Sequence, residues 1–233
     1  MSVFREIGAI RDCVSLVENA GLLGDLNECV NLPYNYVAQA RGLQYKEYWS
    51  LHKRNFWFHI KLCDEGLILF EDTSFRFIMS PISIPTMDDF INYEMGSEWD
   101  LFTDDDKYNY VQSENFKNSY ENFIETTSDY KNFTPIRLDQ HPKQHKVITH
   151  PAHHLHIGYE NESRIPVKRV LTPLAFTAFI LSTFYPDGWE KLHTDGHVNE
   201  ENICALKSKL SMIGHIDQEL WDATWEENRL YLI

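Results

Sequence analysis

The sequence predicts an α+β fold: a central, mainly antiparallel sheet with an N-terminal helix and C-terminal helices packed on it. Three observations predict it: an apolar stripe at helical spacing near the start, period-two alternation through residues 54–79, and two capped helical segments after residue 172. Strands in the middle with helices at both ends are the α+β pattern. The 233 residues are read as a single domain, 1–233, with 43% hydrophobic and 14% aromatic residues to fill its core.

The first helix rests on Val3, Ile7, Ile10, Val14 and Val17, spaced 4, 3, 4 and 3 apart, with Gly21 and Gly24 marking its end. From Pro33 to Lys53 the chain is rich in Tyr and shows no clear period. From Arg54 to Leu62, Phe56, Phe58, Ile60 and Leu62 alternate with Trp57, His59 and Lys61, as in a strand. Asp64-Glu65-Gly66 is a turn, Leu67 to Phe70 and Phe75 to Met79 continue the strands, and Pro81 and Pro85 close the set. Residues 88–132 form an acidic helical or loop excursion, with Phe116, Tyr120 and Phe123 at near-helical spacing. His153 to Tyr159 is strand-like. Thr172 caps a helix with Pro173 at its first position, and Leu174 to Phe184 is apolar nearly all round, as a buried helix is. Tyr185-Pro186-Asp187-Gly188 stops it. Asn199 caps a last helix with the stripe Ile203, Leu206, Leu210 and Ile213, ended by Gly214 and followed by a segment bearing Trp221 and Trp225.

The net charge is −14, which argues against a protein that coats nucleic acid by bulk charge. The charge is uneven, because Asp88 to Asp129 holds twelve acidic residues and two lysines. No apolar run approaches 18 residues and no signal-peptide pattern opens the chain, so a cytoplasmic protein without a membrane span is expected. Cys13, Cys29, Cys63 and Cys204 form no CxxC pair and read as free thiols.

The chemistry concentrates between Arg137 and Gly158, where six of the eleven histidines share 22 residues with Arg137, Asp139, Lys143 and Lys146. On a strand from 153 to 159, His154 and His156 fall on one face, about 7 Å apart, while His153, Leu155 and Ile157 face the core. Pro142 and Pro151 hold His141 and His150 extended. Two uses of these residues stay open. A histidine pair can take a proton from an attacking hydroxyl and return one to the leaving oxygen of a phosphodiester, with arginine steadying the charge. The same imidazoles, with Asp139 or His150, can hold a divalent metal. A histidine-triad nucleotide hydrolase is rejected because Gly158 stands at the third histidine position. Taken singly, His141, His145 and His150 read more simply as loop histidines bonded to backbone or water; paired polar side chains opposite an apolar strand face resist that explanation.

The runs Ser74-Phe75-Arg76-Phe77-Ile78-Met79-Ser80-Pro81, Arg137-Leu138-Asp139, His150-Pro151-Ala152-His153-His154-Leu155-His156-Ile157-Gly158 and Arg164-Ile165-Pro166 resemble the bacterial family DUF2290, a domain of unknown function, over most of the chain. Arg137-x-Asp139, Pro142 and Pro151-x-His153-His154-x-His156 are also similar to the signature of TumE-like toxins of toxin–antitoxin modules, from which this chain departs by inserting Ala152. That resemblance implies a toxin or antiphage-defence setting with nucleic acid as target.

The resulting expectation is a phosphodiesterase-type nuclease, with RNA as favoured substrate. His154 and His156 form the acid–base pair or metal ligands, Asp139 orients an imidazole, and Arg137 with Arg76 stabilises phosphate charge; His150 is a further candidate and Arg164 a secondary one. A divalent metal is the expected cofactor where one is used. The alternative is a non-catalytic binding subunit of a defence complex with a structural histidine cluster. In either case a protein partner, an antitoxin or an ATPase subunit, is expected on the acidic segment.

Overall fold

In a computed structural model the chain is α+β, described over residues 7–127, 129–160, 162–211, 220–221 and 224–225. Val3, Ile213 and Gly214 lie outside the described residues. The chain divides into two compact units, residues 81–132 forming a second unit inserted into the first.

The first unit opens with α1 (Ile7–Asn19) and β1 (Leu23–Leu26). Gly21, at φ 73, turns the chain out of the helix. Gly24 does not end the helix but lies within β1, where a Cβ would stand 2.9 Å from the Leu62 carbonyl oxygen, so only glycine fits against the neighbouring strand. The Tyr-rich stretch folds as α2 (Tyr36–Ala40) and α3 (Tyr45–Arg54). Residues 54–59 are not strand: α3 runs through Arg54, and Phe56 at φ 55 turns the chain before β2 (Ile60–Leu62). The alternation misleads there because Trp57 and Phe58 are both buried, which no half-buried strand produces. β3 (Leu67–Phe70) and β4 (Ser74–Ile78) follow as a hairpin.

The second unit holds β5 (Ile82–Ser83), α4 (Met87–Glu94), a 3-10 turn at Gly96–Leu101, α5 (Asp104–Gln112), α6 (Glu114–Thr127) and β6 (Asp129–Tyr130), with β5 paired to β6. Phe90, Ile91 and Phe116 make its small core with Trp99, Tyr110, Tyr120 and Phe123. Its acids gather at helix starts: Asp88 and Asp89 on α4, Asp104 to Asp106 on α5, Glu114 on α6. Negative charge there is stabilised by unpaired amides and the helix dipole. Thr86 and Asp89 close a reciprocal cap, Asp89 N donating to Thr86 Oγ1 at 3.1 Å and Thr86 N to Asp89 Oδ2 at 2.8 Å.

The first unit resumes with β7 (Ile136–Gln140), β8 (His153–Ile157), β9 (Ile165–Pro166), α7 (Pro173–Phe184), α8 (Pro186–Thr194) and α9 (Glu200–Lys209). Thr172 caps α7 through Ala175 N, and Asn199 caps α9 through Asn202 N, as the sequence predicts. α7 ends at Phe184, where the sequence places its stop, and Pro186 then opens α8, its fixed φ and missing N–H suiting a first helical position. The seven strands run in the order β1-β2-β3-β4-β7-β8-β9, with every neighbouring pair antiparallel. One sheet face, bearing Phe75, Phe77, Leu138 and Leu155, packs into the main core with Cys13 and Val17 of α1 and Phe176 and Ile180 of α7. Period two turns Ser74, Arg76, Arg137, Asp139, His154 and His156 to the opposite face.

Candidate functional site

The antiparallel register of three central strands assembles the site. Ser74 of β4 stands opposite Asp139 of β7, which stands opposite His154 of β8. One step along the same face, Arg76 stands opposite Arg137, which stands opposite His156. Six polar side chains thus form two rows of three.

Within these rows, Ser74 Oγ donates to Asp139 Oδ1 at 3.0 Å. Asp139 Oδ2 takes Arg137 Nε at 3.1 Å and lies 3.2 Å from His156 Nε2 and 3.8 Å from His154 Nε2. The two imidazoles meet Nε2 to Nε2 at 3.0 Å, and His154 Nδ1 donates to the Pro151 carbonyl at 2.8 Å. A carbonyl only accepts, so His154 carries its proton on Nδ1 and presents a lone pair at Nε2. Burial, with the charge of neighbouring His156 second, pulls the His154 pKa down to about 4, consistent with a neutral ring. Burial opposes the Asp139 carboxylate, but the hydrogen bond from His156 and the charge of Arg137 overcome it and hold the group well below the usual carboxylate range. His150 packs edge-on against His154 with ring centroids 4.9 Å apart; burial and Arg164 lower its pKa.

Beside the rows lies a cleft of about 250 Å³ lined by Arg41, Arg76, Arg137 and His156 with Tyr36, Tyr48 and Tyr159. Three arginines and one carboxylate, Glu160, line it; Glu71 pairs with Arg76 and Asp139 with Arg137, so the cleft is rich in arginine although two of the three charges are offset. Arg76 Nε donates to Glu71 Oε2 at 2.5 Å, and its guanidinium sits 5.8 Å from the centre of the Tyr36 ring. Arg137 is half-exposed and, among the described residues, engaged only through Nε. Its terminal nitrogens suit an anion such as phosphate. Tyr36 and Tyr48 are tied behind the cleft by the buried His52, which accepts from Tyr36 Oη at 2.8 Å through Nε2 and donates from Nδ1 to the Tyr48 carbonyl at 2.7 Å.

The family model described as "uncharacterized conserved protein (DUF2290)" matches residues 31–217. The chain belongs to the DUF2290 family. That span covers the whole site of this DUF2290 chain, from Tyr36 to Glu160, and most of its sheet. No curated protein and no solved structure matches it.

Of the residues the sequence singles out, Asp139, His154 and His156 converge, Arg137 joins them, Arg76 shares the cleft while paired to Glu71, and His150 flanks His154. Arg164 Nη1 donates to its neighbour Glu162's carbonyl at 3.3 Å and is not among the cleft-lining residues. His154 is likewise behind the cleft, whereas His156 lines it. Against the sequence reading, Ile157 is exposed rather than core-facing, since β8 ends there and Gly158 at φ 93 turns the chain away. Sequence reasoning misses Arg41, Tyr36, Tyr48 and Tyr159, which reach the cleft only through tertiary packing; nothing in their local pattern marks them.

Proposed function

We propose that this DUF2290 protein cleaves phosphodiester bonds in nucleic acid, with RNA the favoured substrate, in a cytoplasmic toxin or antiphage-defence role. The observation that carries the reading is the row Arg76–Arg137–His156 laid across three strands beside an arginine-lined cleft, backed by Asp139. In this reading Arg137 and Arg41 hold the phosphate, and Arg137 meets the charge that builds on its oxygens. His156, held by Asp139, takes the proton from the attacking hydroxyl or water and returns one to the leaving oxygen. His154 acts through His156 as a positioning residue, because its Nδ1 is committed to Pro151 and it stands behind the cleft. Tyr159, half-buried at the cleft, offers a ring on which an unpaired base can stack, with the buried Tyr36 and Tyr48 forming the wall beside it. The sequence likeness to TumE-like toxins adds the biological setting.

The test is cleavage of labelled RNA and DNA by the full chain. His156→Ala and Arg137→Ala should lose turnover; wild-type activity in both His154→Ala and His156→Ala ends the reading. A second reading, a non-catalytic subunit that docks a partner through the acidic unit, is favoured by Tyr93, Leu101, Tyr108 and Tyr130, which that unit leaves exposed among its acids. An antitoxin or ATPase subunit is the partner class on either reading, and a stable complex without turnover selects the second.

A further inference from the structure

We propose that Asp139, His154 and His156 bind one divalent first-row transition-metal ion as a two-histidine, one-carboxylate facial triad whose remaining positions open toward the cleft. This deepens the phosphodiester reading, since metal-bound water would replace proton transfer by a bare histidine; the site itself rests on geometry alone. Three candidate ligand atoms, His154 Nε2, His156 Nε2 and Asp139 Oδ2, lie 3.0, 3.2 and 3.8 Å from one another. Ligands about 2.1 Å from a common ion stand about 3.0 Å apart at right angles and about 3.4 Å apart at the tetrahedral angle. The three edges bracket those values, and a small rotation of the carboxylate shortens the longest.

The protons point the same way. His154 presents a lone pair at Nε2 because Nδ1–H is spent on Pro151, and Asp139 Oδ2 accepts from Arg137 Nε. Only one proton, on His156 Nε2, is then available at the centre of the three atoms, and it cannot point along both the 3.0 Å and the 3.2 Å contact. A single cation satisfies all three atoms at once. The surroundings are those of a metal site as well. The Pro151 carbonyl fixes the tautomer and ring of His154, while Ser74 and Arg137 hold the carboxylate. All three ligands are buried, and His156 alone of them lines the cleft, so the cleft reaches the site on the His156 side. Two imidazoles with one carboxylate select manganese, iron, cobalt or zinc over magnesium and calcium, which prefer oxygen ligands. Asp139 and Arg137 cancel in charge, so the loaded centre keeps the ion's full positive charge for an anionic substrate.

The experiment strips the full chain with a chelator and titrates it separately with Co2+ and Mn2+, following cobalt absorption and bound stoichiometry. One equivalent should bind; Asp139→Asn, His154→Ala and His156→Ala should each abolish it, and His193→Ala, remote on α8, should keep it. Because a buried-histidine variant can misfold, the wild-type Mn2+ complex is also examined by pulsed paramagnetic resonance for coupling to two imidazole nitrogens. No saturable uptake, uptake that survives in the variants, or a bound ion without imidazole coupling overturns the proposal. Uptake without nucleic-acid cleavage supports the metal site and ends the nuclease reading, whereas cleavage by a stripped chain that takes up no metal does the reverse.

Discussion

Acidification should unfold this protein through its buried neutral histidines, and His52 lets the effect be sized. The side chain is wholly buried, and burial lowers its pKa from 6.5 to about 4, with the backbone bond to Tyr48 and the charge of Arg76 as smaller influences. The folded pKa lies below the unfolded one, so the unfolded chain binds the extra proton first. Stability is therefore full above pH 6.5 and falls as the pH drops toward 4. Two and a half units correspond to about 3 kcal/mol. His59, whose Nδ1 accepts from Phe70 N at 3.2 Å, is likewise lowered to about 4 by burial. Together the two amount to about 6 kcal/mol, comparable to the whole stability of an ordinary domain. The perturbation is His52→Gln, read by urea unfolding with tryptophan fluorescence at pH 7.5, 6, 5 and 4. At pH 7.5 the variant should be less stable by about 1–2 kcal/mol, through the lost hydrogen bond. As the pH falls the deficit should close, and near pH 4 the variant should be the more stable protein. Parallel curves for variant and wild type across this range would falsify the reasoning. Protonated His52 can no longer accept from Tyr36 Oη and must donate to it instead, so the same titration reverses the hydrogen bond behind the cleft wall.

His156→Ala should lower kcat by about 10²–10⁴-fold, the span of a lost acid–base group, with His193→Ala unchanged in the same nuclease assay. Phe176→Ala removes a ring buried against Phe75 at 5.6 Å between centroids and should cost about 3–5 kcal/mol in urea unfolding. Burial pushes the Cys13 thiol up to about 12, whereas Cys29, Cys63 and Cys204 are exposed. A thiol reagent at pH 8 should therefore label three cysteines promptly and the fourth only in denaturant; prompt labelling of all four would contradict the packing of α1.

Three helices were legible because their signals are local: the apolar spacing of α1, the Thr172-Pro173 start of α7, the Asn199 cap of α9. The pairing of His154 with His156 was legible for the same reason, since period two is a property of the strand alone. β7 was not, although it lies at the heart of the sheet. Ile136 and Leu138 are its only apolar positions, and Arg137 and Asp139 read as loop until strands on both sides share their charges. The pairing of Arg76 with Glu71 depends on a hairpin that brings residues five apart together. Arg41 and the cleft tyrosines have no local signature because long-range packing alone defines their place.

The acidic unit interrupts what is otherwise a β-hairpin. β4 and β7 are register partners, with Phe77 opposite Ile136, yet residues 81–132 separate them. As a slack loop, an insertion some tenfold longer than a tight turn would add about 2 kcal/mol to the entropy of closing that pair. Ile82 pairs with Tyr130 and Ser83 with Asp129, so the unit draws its own ends together and spares β4 and β7 most of that penalty. The two halves of the site, Arg76 before the insertion and Arg137 with Asp139 after it, can therefore meet as though the intervening chain were a short turn, leaving the inserted unit free to diverge in sequence without disturbing the register on which the chemistry depends.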